Sequence, residues 1–402
     1  MKTLGIIAEF NPFHSGHRYL IETAMKECGA DRCIVVMSGD FVQRGAPAII
    51  DCHARAEMAL SGGVSAVLSL NPYVSTGSAA YFADGAVQLL DNLGCVDYLA
   101  FGSESGDIER LDAIASILIN EPEEYKIELN DGLSQGLSFP VARQKALEKL
   151  CDADAIGSPN NILAIEYLSA LKRHNSRVVP ITITRKGSAY HDDTIDTDFA
   201  SASALRVELL KNNKNLSKYL SDNSLSILSS AALLDSNDFS RELIYALRMN
   251  LEILDEFYDM PAEFADRIKN NIDNFKNFDD FCTLLKTKDR TYTSISRALI
   301  HILLNLKNTE TEMSDTVKPH YARILGFNSA HSDILGKIKS NTNIPLIINA
   351  AEASKMLNQK ALRSFNKEIR SAHIYQSVAA NNSGQPFKNE YRRKIVKIYL
   401  NN

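Results

Sequence analysis

EFNPFHSGH, Glu9 to His17, is the stretch on which the fold turns. An apolar run, Leu4 to Ala8, leads into it, Asn11 and Pro12 favour a turn, and an amphipathic pattern from about His17 to Cys28 follows. That order reads as strand, tight turn, helix. It places two imidazoles at a helix N-terminus, where unpaired backbone N–H groups and the positive end of the helix dipole favour anions such as phosphates. Gly16 leaves room for a ligand to approach the backbone, and His14 and His17 stand about one helical turn apart. Both can then face one phosphate, a geometry that suits ATP. A lone histidine is more often a core or capping residue, but a pair after a strand with glycine between them favours the phosphate reading.

Outward from this stretch, the first two hundred residues alternate strand and helix. Leu20, Ile21, Ala24, Met25 and Cys28 form one helical stripe ended by Gly29, and Cys33 to Met37 reads as a buried strand. A helix around Ala54 to Ser61, a strand from Val64 to Leu70, a helix from Ser78 to Leu93 and a strand from Tyr98 to Phe101 follow. Repetition of this kind predicts βαβ crossovers and a parallel sheet, with ligands beyond the carboxyl ends of its strands. The polar clusters HSGH, SGDFVQRG, NPYVSTGSA and FGSES fall at those ends. Asp40, Gln43 and Arg44 read equally as a solvated loop or as an anion site, since arginine binds phosphate through a planar fork. Asn71, Ser75, Thr76 and Ser78 read best as helix caps.

SPNNILAIEYLSALK predicts a helix from about Asn161 to Lys172, with Asn160 as a candidate N-cap. Arg177 to Thr184 reads as a further strand, and Arg185 and Lys186 at its end are either a polyphosphate contact or a solvated pair. Beyond about residue 207 helical patterns dominate, with Ile295, Leu299, Ile302 and Leu303 on one face. Ala322 to Phe327 and IPLIIN near 344 to 349 suggest strands of a small mixed element. The expected architecture is thus α/β: a Rossmann-like domain over 1–206 and a mainly helical domain over 207–402, the boundary lying between about 195 and 225.

Composition bounds the rest. The chain has 402 residues, 45% of them hydrophobic, enough for two or three domains. Its 44 basic residues against 49 acidic ones give a net charge of −5, so any nucleic-acid contact needs a local patch. Such a patch exists near the end: ten basic residues between Lys355 and Lys397 against Glu368 and Glu390, interleaved with Tyr375, Phe387 and Tyr391. Basic side chains neutralise phosphates and exposed aromatics stack on unpaired bases, although a charge run is more often a solvated face. Arg290 and Arg297, with Lys286 and Lys288, form a second basic neighbourhood. Six cysteines without metal spacing read as reduced thiols, and the absence of a signal peptide or spanning run predicts a cytoplasmic protein off the membrane, with no evident obligate protein partner.

The HxGH signature after a first strand resembles the nucleotidyltransferase superfamily. Its longer form here, GIIAEFNPFHSGH followed by MSGDFVQRGAPAI, resembles the bacterial tRNA(Met) cytidine acetate ligase family. That resemblance implies ATP and acetate as substrates, an acetyl-adenylate intermediate, and acetylation of the wobble cytidine of elongator tRNA(Met), with Mg2+ accompanying the nucleotide. It implies His14, His17 and Arg185 as catalytic residues, with Asp40 as a helper. ATP contacts are implied along Ile7, Ala8, Glu9, Phe10, Asn11, Pro12, Phe13, His14, Ser15, Gly16 and His17. Leu20, Gly102, Asn160, Asn161, Arg185 and Lys186 extend them. ASASALR resembles the superfamily's serine-rich phosphate loop, with two of its residues replaced by alanine, and adds Ser203 and Arg206. Lys360, Arg363, Arg392, Arg393 and Lys394, with Arg290 and Arg297, are the expected RNA contacts. Two other classes carry the same signature: a small-molecule adenylyltransferase of the pantetheine or nicotinamide-mononucleotide kind, and a noncatalytic RNA-binding scaffold.

Overall fold

A computed structural model describes residues 1–137, 139–151, 154–185, 200–211, 213, 216–308 and 318–399. Continuous apolar runs become buried parallel strands because helices cover both sheet faces. Thr3–Ala8 (β1) lies between Arg32–Ser38 (β2) and Tyr98–Ser103 (β6), parallel to both. β2 pairs in turn with Ala66–Leu70 (β5), and β6 with Val179–Thr184 (β7), again in parallel. A short hairpin, Phe41–Val42 (β3) and Ala46–Pro47 (β4), stands off the carboxyl end of β2. Gly45 turns it at φ 74°, where a Cβ would lie 2.3 Å from the Arg297 backbone nitrogen.

The sheet does not end with the first half of the chain. Ala322–Asn328 (β8) runs antiparallel against β5, Leu346–Ile347 (β9) pairs with β8, and Val396–Ile398 (β10) closes that edge parallel to β8. The order is β10-β8-β5-β2-β1-β6-β7, with β9 beside β8. The small separate element expected around 322–327 and 344–349 is therefore part of the main sheet. The physical reason is burial: every residue of β8 is buried, which an isolated element could not provide.

Between these segments, residues 216–308 are mainly helical. Leu243, Leu247, Phe281 and Leu299 share a core there with Phe41, Tyr73 and Tyr375. Tyr375 is 1% exposed and its hydroxyl donates to the Ala48 carbonyl at 2.8 Å, so it belongs to the core rather than to a stacking surface. Four of the six cysteines are buried and all six are free thiols. Among the described residues, no helix is long and apolar enough to cross a membrane.

Candidate active site

β1 ends at the sheet's carboxyl edge, and the chain then turns through Phe10, at φ 47°, and a cis Asn11–Pro12 bond. Phe10 is fixed in its left-handed conformation by burial: its ring meets Phe13 edge-on at 5.0 Å and His17 at 4.8 Å. The next helix, Ser15–Cys28, starts two residues earlier than the apolar pattern indicated because His14 caps it. His14 Nδ1 accepts the Gly16 N–H at 3.0 Å, and His17 Nδ1 accepts the His14 N–H at 3.3 Å. This is a capping box made of two imidazoles, the rings stacked 3.7 Å apart. With Nδ1 accepting in both rings, a neutral imidazole carries its proton on Nε2 and can donate it to a ligand.

Both rings are held neutral. Burial, followed by the Arg185 and Arg206 guanidinium charges, lowers His14 to about 3. Burial, then His14 and Arg185, holds His17 well below its ordinary value. Each neutral ring thus keeps an Nε2–H donor, and the positive charge beside the pair comes from arginines.

The pair lines a cleft of about 240 Å³. Ile7, Ala8, Glu9, Phe10, Asn11, Gly16 and Leu20 line it from β1, the turn after it and the first helix, Gly102 from β6, Asn160 from the start of the helix Pro159–Arg173, and Arg185, Ser203 and Arg206 from the far wall. Sequence reasoning named all of these. At Gly102 a Cβ would lie 3.2 Å from Arg185 Cγ, so a side chain there would push Arg185 by a few tenths of an ångström. Ser201 caps the helix Ala202–Leu210, whereas Ser203 Oγ accepts from Arg44 and Arg206, each at 3.1 Å. Arg206 also donates to the Asn11 carbonyl at 2.8 Å, tying this loop to the histidine turn.

Other expected contacts lie elsewhere. Pro12, Phe13 and Ser15 do not line the cleft: Phe13 packs over Gly62, and the Ser15 N–H donates to the Tyr219 carbonyl. Asn161 turns away, its Oδ1 accepting the Glu104 and Ser105 N–H groups at 2.9 and 3.2 Å. The helix Pro159–Arg173 has Ser158, not Asn160, at its cap position, and Glu104 sits at its N-terminus, accepting from Asn160 Nδ2 and the Asn161 N–H. Asp40 is buried outside the cleft, where its carboxylate accepts the Cys52 N–H at 2.6 Å. Burial and the nearby Asp51 and Glu390 raise it to about 7. Lys186 lies outside the described residues.

Three residues that shape this site escaped sequence reasoning. Arg55, fully buried, donates to the carbonyls of Ile50, Glu9 and Gly39 and so locks the loops after β1 and β2 together. Glu104 anchors two asparagines, and Tyr167 forms part of the cleft wall beside Phe101. Only FGSES as a polar cluster hinted at Glu104.

The expected RNA contacts divide into two groups. Lys360, Arg363, Arg392 and Lys394 are exposed. Arg393 is not a surface cation: it pairs with Asp51 at 2.7 Å and Glu390 at 3.3 Å. Arg290 lies over the Phe264 ring at 4.2 Å, and Arg297 is mostly covered beside Asp259 at 3.8 Å. These three are spent on packing because each meets an acid or an aromatic inside the molecule.

A mainly parallel sheet with a helix-capping histidine pair and arginines at its carboxyl edge defines a nucleotide-binding protein of the nucleotidyltransferase type. Residues 1–390 match the HIGH Nucleotidyl Transferase family model. The chain is 36% identical to the tRNA(Met) cytidine acetate ligase of Acetivibrio thermocellus, over 98% of this chain and 100% of that one. It is 38% identical to the ligase of the same name from a Thermoanaerobacter species, over 95% and 97% of the two chains. The crystal structure of Thermotoga maritima TmcAL bound with alpha-thio ATP superposes with a TM-score of 0.90 at 28% identity, covering all of both chains. This chain belongs to the tRNA(Met) cytidine acetate ligase family.

Proposed function

We propose that the protein activates acetate with ATP and transfers the acetyl group to the exocyclic amine of the wobble cytidine of elongator tRNA(Met). A carboxylate oxygen of acetate attacks the α-phosphorus, the bond to the bridging α,β oxygen breaks, and pyrophosphate leaves. The cytidine amine then attacks the acetyl carbon, the bond to the phosphate oxygen breaks, AMP leaves, and the amine releases a proton. His14 and His17 donate Nε2–H to phosphate oxygens as negative charge shifts in the first step, and Arg185 and Arg206 supply the positive charge. Their value lies in preorganisation: the capping hydrogen bonds orient the rings before the nucleotide arrives.

Mg2+ enters with ATP as part of that substrate. Glu9, the carboxylate lining the cleft, already accepts the Gln43 N–H at 3.0 Å, and no cluster of three or more metal-ligating side chains occurs among the described residues. Neutral donors backed by arginines suit a polyphosphate that brings its own cation.

The single observation that carries this reading is the stacked, neutral histidine pair capping a helix inside a cleft with Arg185 and Arg206, in a chain matched end to end by acetate ligases. Incubation with ATP, radiolabelled acetate and transcribed elongator tRNA(Met), followed by nucleoside analysis, tests it. Acetate-dependent pyrophosphate release and N4-acetylcytidine are expected. Pyrophosphate release that ignores acetate would instead mark a small-molecule adenylyltransferase, and RNA binding with no release a scaffold.

A further inference from the structure

His373, on the helix Gln359–Ser383, is flanked by two aromatic rings from the segment just before β10. Phe387 meets it edge-on at 5.3 Å and Tyr391 at 5.9 Å. Both flanking rings reach solvent, Phe387 45% exposed and Tyr391 42%. They are not loosely placed. The imidazole Nε2 accepts the Glu390 N–H at 3.1 Å, the Tyr391 N–H donates to Asn389 Oδ1 at 2.9 Å, and Arg393 and Lys388 bind the segment to Asp51. The rings are therefore presented on a braced backbone.

Their surroundings are basic. Arg392 and Lys394 are exposed on the same segment, and Arg363 and Arg370 precede His373 along the helix at spacings that keep them on one face. Topology fixes which edge this is. β8 is antiparallel to β5 and β10 is parallel to β8, so the residues entering β10 lie at the edge where β1, β2, β6 and β7 end. That edge also carries the cleft. Four strand spacings separate β10 from β1, roughly 20 Å along the sheet.

We propose that Phe387, His373 and Tyr391 form a stacking platform for an unpaired base of the RNA substrate, a base other than the one modified. The inference rests on RNA being the substrate, and names how it is held. Aromatic faces next to cations suit single-stranded loops, whose bases are free to stack, whereas a duplex offers such a site only backbone charge. None of the three rings lines the cleft, so the platform grips a neighbouring part of the same loop rather than the base that reacts there.

The chain contains no tryptophan, so Phe387→Trp places a single indole on the platform. In the full-length variant, an anticodon stem-loop transcript is expected to quench that emission and a blunt duplex of the same stem to leave it unchanged. Phe387→Ala with Tyr391→Ala should weaken stem-loop binding by about 5- to 100-fold. The loss should be equal at low and high salt, with acetate-dependent ATP–pyrophosphate exchange intact, because no phosphate contact is removed. Absence of quenching, equal quenching by duplex, or unchanged affinity in the alanine variant would overturn the platform. Quenching in a protein that never acetylates tRNA would overturn the proposed activity instead, and normal acetylation without quenching would remove the platform alone.

Discussion

His14 and His17 hold one another at the helix start: the backbone N–H of His14 donates to Nδ1 of His17, and the two rings stack with centroids 3.7 Å apart. Neither ring can be replaced without disturbing the other. His14→Ala or His17→Ala is therefore expected to lower acetate-dependent ATP–pyrophosphate exchange by about 100- to 1000-fold, the usual cost of losing a preorganised donor to a developing anion. Affinity for tRNA should change little. His14→Asn separates the two roles, since asparagine still caps the helix but has no Nε2–H. It should restore the melting temperature of the alanine variant and not its activity.

Acid should weaken the fold through the same residue. His14 ionises near 6.5 when unfolded and at about 3 in the native cleft, so between these values the unfolded chain binds the extra proton. Its contribution to stability is complete above the unfolded value and is lost as pH falls toward the folded one. The melting temperature should drop as pH is lowered from about 7 to 5, and His14→Asn should flatten that slope. An unchanged slope would show the ring to be solvated.

Asp40 has the opposite sign. Its carboxyl is raised from 3.8 to about 7 by burial and by Asp51 and Glu390, so the unfolded chain gives up the proton first and stability is lost as pH rises through that window. Asp40→Asn keeps an acceptor for the Cys52 N–H and removes the charge. It is expected to raise stability above pH 7, by about 1 kcal/mol. Calorimetry at two pH values measures this, and a catalytic role for Asp40 would appear as lost activity in the same variant.

The histidine turn and the parallel strands through residue 184 were legible because each rests on local signals: a buried parallel strand is a continuous apolar run, and a strand, turn and glycine-spaced histidines are adjacent in sequence. The β3–β4 hairpin was not, since its two-residue strands are too short to show as an apolar run. β8 was legible as a strand but not as a sheet member, since its partner β5 lies some 250 residues earlier and no periodicity encodes that pairing. Arg55 and Arg393 illustrate the same limit for charge. A basic residue reads as surface until an acid or a ring of carbonyls is brought to it from elsewhere. Tyr375 and Tyr391 sit in one basic stretch of sequence, yet the first lies on the buried face of the helix Gln359–Ser383 and the second on the turn beyond it, exposed.

The basic tail should accordingly split by mutation. Arg392→Ala and Lys394→Ala are expected to leave stability within about 0.5 kcal/mol, weaken tRNA binding and flatten its salt dependence. Arg393→Ala strips Asp51 and Glu390 of a buried partner and should cost about 3–5 kcal/mol of stability. Urea unfolding beside filter binding distinguishes them, and equal stability for all three variants would place Arg393 at the surface.

Asn161 offers the sharpest contrast between contact and support. Its Oδ1 accepts the Glu104 and Ser105 N–H groups of the loop after β6, and its backbone N–H donates to Glu104, so the side chain braces that loop and does not line the cleft. Asn161→Ala leaves two partly buried donors unpaired, a loss of about 1–3 kcal/mol. Stability and ATP affinity should then fall together, with KM for ATP rising roughly tenfold and tRNA affinity unchanged. A residue touching the nucleotide directly would behave otherwise: KM would rise while the melting temperature of the ATP-free protein stayed where it was.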